Sequence, residues 1–336
     1  MKLNTAVKDT DFTDKIFSVS EHNFSETALA LFQFQFEHNT LYNQYCRLRH
    51  IEGASVTRIE QIPFLPISLF KSHIVKTTEF EPAVIFESSG TTTSINSKHF
   101  VKDISLYEES FTKAFDMFYG ADYCIIALLP SYLERANSSL VMMADKLIQK
   151  SNNPLSGFYL HNLDALRNTL LQLEAAKQKT LLLGATFALI DFAEQFPMPL
   201  QHTTIMETGG MKGRREELTR TEVHHILCNA FSVSKIHSEY GMTELLSQAY
   251  SKGDGIFNCP PWMKILIREE DDPLIISAGK KNGPISGAVN IIDLANIHSC
   301  AFIATDDAGK LYSDDSFEIL GRLDNSDIRG CSLLTL

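Results

Sequence analysis

Cys124-Ile125-Ile126-Ala127-Leu128-Leu129, ended by Pro130, is an unbroken apolar run of strand length with no polar residue to mark a solvent face. A half-exposed strand alternates; a continuous run of this kind belongs to a parallel strand covered on both faces. Helical periodicity flanks it. Residues 104–119 set Ile104, Tyr107, Phe111, Ala114, Phe115 and Phe118 on one face, and Leu163, Leu166, Leu170 and Leu173 make a second stripe with Asn162 in a capping position. Thr180–Leu183 follows as another apolar strand, closed by Gly184.

Working outward, Thr203–Met206, Lys235–His237 and Lys264–Arg268 are further strand candidates. Ala288–Leu294, Cys300–Ala304 and Phe317–Leu320 are strands separated by turns, with little helix between them. The first 80 residues read mostly helical, with SETALALFQFQFEHNTLYNQYCRLRH capped by Ser25 and Ile62-Pro63-Phe64-Leu65-Pro66 stopping any helix. Helix–strand alternation with a strand-rich end predicts an α/β fold. The expected organisation is a helical region over 1–80, an α/β core over 81–285, a β-rich subdomain over 286–322 and a short tail over 323–336. No Pro/Gly/Ser-rich linker divides them, so they are expected to form one structural unit.

The 336 residues carry 30 Lys+Arg against 41 Asp+Glu, a net charge of −11, which argues against nucleic-acid binding because phosphate backbones demand clustered cations. Residues 181–190 (LLLGATFALI) form the longest clean apolar run, half of the ~20 residues a bilayer span needs. The opening MKLNTAVKDTDFTDKIF builds no signal-peptide core. Cys46, Cys124, Cys228, Cys259, Cys300 and Cys331 contain no CxxC pair, so reduced thiols and a cytoplasmic location are expected.

Four segments carry chemistry. Glu87-Ser88-Ser89-Gly90-Thr91-Thr92-Thr93 follows the apolar run Ala83–Phe86; glycine lets the backbone approach an anion while hydroxyls and successive N–H groups converge on it. The plain alternative is a Ser/Thr-rich surface turn. Glu207-Thr208-Gly209-Gly210 allows close approach to a flat ligand, with Lys212, Arg214 and Arg215 beyond it and a helix expected from about Glu216. Ser238-Glu239-Tyr240-Gly241-Met242-Thr243-Glu244 offers a stacking face, a hydroxyl and a carboxylate for a hard cation. Magnesium held with a nucleotide takes only one or two protein carboxylates. Thr305-Asp306-Asp307-Ala308-Gly309 reads by itself as a solvated acidic turn, and Arg322 follows it in Leu320-Gly321-Arg322. His237, Trp262 and Glu134-Arg135 have structural readings at least as good as functional ones.

Taken in order, these segments resemble the adenylate-forming (ANL) superfamily of acyl-CoA synthetases and related ligases. Within it they are most similar to the acyl-protein synthetase of the bacterial bioluminescence fatty-acid reductase complex, and more distantly to phenylacetate–CoA ligase. The resemblance implies the superfamily's large N-terminal domain, layered sheets and helices with a β-rich subdomain, and it implies ATP and Mg2+. Ser88, Ser89, Gly90, Thr91 and Thr92 would grip the β- and γ-phosphates. Gly209, Gly210, Tyr240 and Gly241 would border adenine. Thr243 would contact the α-phosphate, Glu244 would hold Mg2+, Asp307 would bind ribose, and Arg322 would reach ribose or phosphate. Thr93 and Asp306 stand where the family usually has glycine, which leaves Asp306 as an alternative ribose ligand.

Such ligases continue past the Gly-Arg hinge into a small domain bearing a lysine. Here LDNSDIRGCSLLTL follows Arg322 without one, and the last lysine is Lys310. The small C-terminal domain is therefore expected to be essentially absent, its cation replaced by Lys98, Lys212, Arg214 or Arg322. By the same resemblance Cys331 takes the acyl group as a thioester; neighbouring Arg329 favours its thiolate and Gly330 frees its swing. A buried terminal strand is the alternative for Cys331. The expected function is ATP-dependent activation of a long-chain fatty or other apolar carboxylate, then delivery to an acyl-CoA reductase or acyl-carrier/transferase partner. The alternatives are an acyltransferase that accepts a preformed thioester, or a non-catalytic regulatory subunit that retains the nucleotide site.

Overall fold

All five side chains of Cys124–Leu128 are buried in the computed structural model, which describes residues 10–13, 15–88, 95–129, 137–160, 162–209, 218–269, 275–277 and 283–323. The chain divides into two compact units: Met1–Phe111, Met242–Ser247 and Cys259–Asp315 form the first, and Thr112–Gly241, Gln248–Asn258 and Ser316–Leu336 the second.

The chain opens with α1 (Thr10–Thr13), α2 (Phe24–His38), α3 (Thr40–Leu48), β1 (Leu65–Pro66) and α4 (Leu69–Ser72). A hairpin of β2 (Val84–Glu87) and β3 (Lys98–Val101) follows, then α5 (Ile104–Tyr119). Next come β4 (Cys124–Leu128), α6 (Ser139–Ser151), β5 (Gly157–Phe158), α7 (Leu163–Ala175), β6 (Thr180–Gly184), α8 (Thr186–Gln195), β7 (Thr203–Glu207), α9 (Arg220–Phe231) and β8 (His237–Tyr240). The remainder is strand: β9 (Ala249–Ser251), β10 (Phe257–Asn258), β11 (Met263–Arg268), β12 (Ile285–Asp293), β13 (Phe302–Leu311) and β14 (Phe317–Arg322).

In the second unit β4, β6, β7 and β8 run parallel, with β5 parallel on the outer side of β4. The order β5-β4-β6-β7-β8 with a helix between successive strands is doubly wound, and such sheets hold ligands beyond the carboxyl ends of their strands. β9, β10 and β14 extend it by antiparallel pairing. Asn162 accepts from the Ala165 amide, as its capping position predicted.

The first unit carries the antiparallel β11-β12-β13, with β1 pairing β13 in parallel. Phe302 of β13 packs on Phe32, Tyr42 and Phe64. Buried Gln35 donates to the Asn296 and Ile297 carbonyls and accepts from Ala301 N, so α2 fixes the 296–301 turn. Trp262 is buried, edge-on to Phe17, and its indole N–H donates to Ser110. The α/β expectation holds, and among the described residues no helix is long and apolar enough to cross a membrane.

Four local expectations are corrected. The first long helix starts at Phe24, so Ser25 lies inside its first turn, and the segment breaks at Asn39, whose side chain caps α3 through Tyr42 N. β8 begins at His237 rather than Lys235 and includes Tyr240. The helix expected from Glu216 is recorded from Arg220, where Thr219 and Glu222 form a reciprocal capping box. Finally, Thr305–Gly309 is no turn: it lies within β13.

Candidate functional site

Glu207 ends β7 and Tyr240 ends β8, so Thr208-Gly209 and Gly241 lie where a doubly wound sheet presents its ligand loops. Gly209 has φ +72°, a left-handed backbone suited to glycine, and donates its N–H to Glu207 Oε2 at 2.7 Å. The same oxygen accepts from Thr186 Oγ1 at 3.0 Å, while Arg220 Nε and His224 Nε2 stand 3.8 and 3.7 Å from Oε1. Burial opposes the charge on Glu207, yet His224, Arg220 and Ser238 outweigh it and hold the carboxyl at about 2. Tyr240 sets its ring edge-on to Phe257 and Phe317, at 5.9 and 5.7 Å. A Cβ on Gly241 would strike the Glu239 carboxylate, so any larger residue here would have to displace that side chain. Arg322 lies at the end of β14, a strand tied to α9 by Arg220 Nη1 donating to Ile319 O.

Glu239 behaves oppositely to Glu207. Burial of its carboxylate and the neighbouring Glu207 charge push it up to about 8, so at neutral pH one carboxylate is ionised and the other holds its proton. A raised carboxyl contributes stability that is full below its ordinary range near 4.5 and lost as pH rises through 8. Glu239→Gln is expected to flatten that decline, stabilising the chain at pH 8.5 by roughly 2 kcal/mol in a thermal melt series from pH 5 to 9. A variant with the wild-type pH profile would contradict the assignment. His237 is held by Tyr119 at 3.1 Å, and burial with Lys252 and Lys235 brings it down to about 4, so it is a satisfied neutral histidine.

The first unit carries Thr243 and Glu244 on a turn closed by Leu245 N donating to Met242 O. That turn is held through its backbone. His99 Nδ1 donates to Thr243 O at 2.8 Å and Asn296 Nδ2 to Glu244 O at 2.7 Å. Asp293 accepts from Leu246 N, Ser247 N and Ser247 Oγ at 2.8, 3.1 and 2.6 Å. Glu244 is buried and follows Thr243 directly in sequence, and a carboxylate of this kind fits a magnesium ion completed by phosphate oxygens. Among the described residues no cluster of three or more His, Cys, Asp and Glu forms a site independent of such a ligand.

The acidic segment sits in a bulge. Asn290 pairs with Ala304 and Ala288 with Ala308, so Thr305-Asp306-Asp307 together oppose Val289. Buried Arg268 fills the gap, donating to Val289 O at 2.8 Å, Asn290 Oδ1 at 2.7 Å and Thr305 O at 2.6 Å. The Asp306 and Asp307 charges favour its cation against desolvation. At the hydroxyl-rich loop, Ser88 and Ser97 close the base: Ser88 N donates to Ser97 O and Ser97 N to Ser88 Oγ, with Lys98–Glu87 paired at 3.8 Å.

The first unit thus brings Ser88, Thr243, Glu244 and Asp307 into one body, and the second holds Gly209, Tyr240, Gly241 and Arg322. Ser89, Gly90, Thr91, Thr92, Gly210 and Cys331 lie outside the described residues, as do Lys212, Arg214, Arg215, Glu134 and Arg135. His99, Arg268, Asp293 and Asn296 were not marked by the sequence. Each acts through main-chain carbonyls or amides across long sequence separations, and no local spacing signals that.

A family description, "Acyl-protein synthetase, LuxE", matches residues 6–335. A search of curated proteins finds no match. Among solved structures the chain is similar to 2-hydroxyisobutyryl-CoA ligase in its postadenylation state, with TM-score 0.62, 11% identity, and coverage of 98% of this chain and 75% of that one. It is also similar to apo MatB from Rhodopseudomonas palustris, with TM-score 0.50, 14% identity, and coverage of 76% and 51%. For the R395G form of coronafacic acid ligase from Pectobacterium brasiliense the TM-score is 0.41 at 16% identity, and the chain spans only 39% of that protein while 60% of its own length is covered. These identities speak to fold alone.

Proposed function

The chain belongs to the LuxE acyl-protein synthetase family and has the fold of adenylate-forming ligases, and from that premise we propose that it activates a fatty or other apolar carboxylate with Mg·ATP and passes the acyl group to Cys331. The carboxylate attacks the α-phosphorus, pyrophosphate leaves, and the acyl-adenylate then yields its acyl group to the cysteine thiolate with release of AMP. Bound Mg2+ supplies charge neutralisation on the phosphates. Glu244 and Thr243 would hold and orient that end of the nucleotide, Ser88–Thr92 the β- and γ-phosphates, and Asp307 the ribose. Gly209, Gly210, Tyr240 and Gly241 would border adenine, with Arg322 at ribose or phosphate. Catalysis on this reading is positioning and charge stabilisation of an in-line displacement.

The observation that carries the proposal is the family match over 6–335 combined with a Thr243–Glu244 turn whose two carbonyls are held by His99 and Asn296. The choice of thiol has separate support. Burial raises the pKa of Cys46, Cys124, Cys228, Cys259 and Cys300, so none of them is a ready nucleophile at neutral pH. The expected downstream partner is an acyl reductase or acyl carrier that takes the thioester. ATP–pyrophosphate exchange over a panel of carboxylates is the test: exchange is expected with fatty acids, and none with any carboxylate rejects adenylation.

A further inference from the structure

His99 is buried in the first unit, on the strand by which the chain leaves the hydroxyl-rich loop. Its ring stands edge-on to Phe70 at 6.0 Å. Its Nδ1 bonds to the carbonyl of Thr243, 144 residues away in sequence, at 2.8 Å. A carbonyl only accepts, so Nδ1 carries the proton. Desolvation brings the imidazole down to about 4, which keeps this single neutral tautomer at physiological pH.

Two features of the hairpin give that bond a consequence. Phe86 of β2 pairs with His99 of β3, and Ser88 and Ser97 clamp the loop just beyond. The strand that ends the hydroxyl loop is therefore the strand that grips the Thr243 carbonyl. Asn296 grips the next carbonyl, Glu244 O, so consecutive peptide groups are fixed by side chains while the Thr243 and Glu244 side chains take no part in those bonds.

We infer that His99 is a positioning residue for adenylation, setting the Thr243–Glu244 turn in register with the base of the hydroxyl loop. The inference rests on the proposed function, in which the loop engages the β- and γ-phosphates and the turn engages the α-phosphate and Mg2+. A rigid spacing between the two matches a triphosphate whose charge shifts toward pyrophosphate as the carboxylate attacks. His99 touches neither nucleotide nor metal; it acts through Thr243.

The experiment titrates Mg2+ in ATP–pyrophosphate exchange for wild type, His99→Leu and His99→Asn, with the thermal midpoint of each. Losing one buried hydrogen bond corresponds to about tenfold. His99→Leu is expected to raise Mg2+ half-saturation and lower kcat, each by about that factor, with the carboxylate KM within about twofold. His99→Asn, whose amide N–H falls near the Nδ1 position, is expected to recover most of both. Folded His99→Leu with wild-type Mg2+ dependence and kcat overturns the inference, as does His99→Asn no better than His99→Leu at equal thermal midpoint. Should His99→Leu not fold, His99→Asn is compared with His99→Gln, whose amide lies one bond further out. A raised Mg2+ half-saturation in Gln alone supports positioning, and identical behaviour overturns it. A wild type without exchange overturns the adenylation reading and this inference with it; an active wild type matched by His99→Leu overturns only the inference.

Discussion

After incubation with Mg·ATP and a fatty acid, the wild-type chain is expected to gain the mass of one acyl group, and Cys331→Ser none. The effect is complete because a serine hydroxyl does not ionise near neutral pH, whereas a cysteine thiol does so far more readily. Exchange of ATP with pyrophosphate should survive in Cys331→Ser, since the thiol enters only after the adenylate has formed. Intact mass therefore separates the readings that the sequence leaves open. Labelling by free acid and ATP requires adenylation. Labelling by acyl-CoA without ATP identifies a transferase, and ATP binding with neither label identifies a regulatory subunit. Acyl mass gained equally by Cys331→Ser would move the acceptor elsewhere, and hydroxylamine lability would say whether the new linkage is still a thioester.

Apolar continuity was enough to find β4 and β6. Cys124–Leu128 and Thr180–Gly184 are buried at every position, and that shows as unbroken hydrophobicity. The boundaries that failed are the ones decided by tertiary contacts. Tyr240 belongs to β8 because its backbone pairs with Ala249, while the apolar pattern ended the expected strand at His237. Thr305-Asp306-Asp307 read as a hairpin tip, since two adjacent acids favour solvent; a buried guanidinium from Arg268, far away in sequence, stabilises them inside a strand. The same distinction divides the site. Side chains that would meet a ligand, such as Tyr240, Thr243 and Glu244, stand in a compact motif. The groups that aim them are dispersed over His99, Asp293 and Asn296, and only the fold brings them together.

Asp293→Ala is expected to cost about 3–5 kcal/mol of folding stability and to abolish exchange in whatever fraction still folds. Asp293 is fully buried and its carboxylate accepts from Leu246 N, Ser247 N, Ser247 Oγ and Ala295 N. Alanine leaves those donors in a dry interior without acceptors, at ~1–3 kcal/mol each before relaxation. The loss is partly offset, because desolvation penalises the charge and raises the Asp293 pKa despite the hydrogen bonds that lower it. That shift also fixes the sign of the pH dependence. The stability Asp293 contributes is full below the ordinary carboxylate range and declines as pH rises above it. Asp293→Asn keeps one acceptor oxygen and removes the charge, so its deficit against wild type should be smaller than that of alanine and should shrink with rising pH. Urea unfolding at pH 5, 7 and 9 measures both effects. An alanine variant within about 1 kcal/mol of wild type would mean that water or a rearranged 242–247 turn satisfies those amides, and a deficit of asparagine that grows with pH would mean that the buried charge is net stabilising. Because the turn that Asp293 anchors carries Thr243 and Glu244, the folded fraction of Asp293→Asn should still need more Mg2+ for exchange than wild type does.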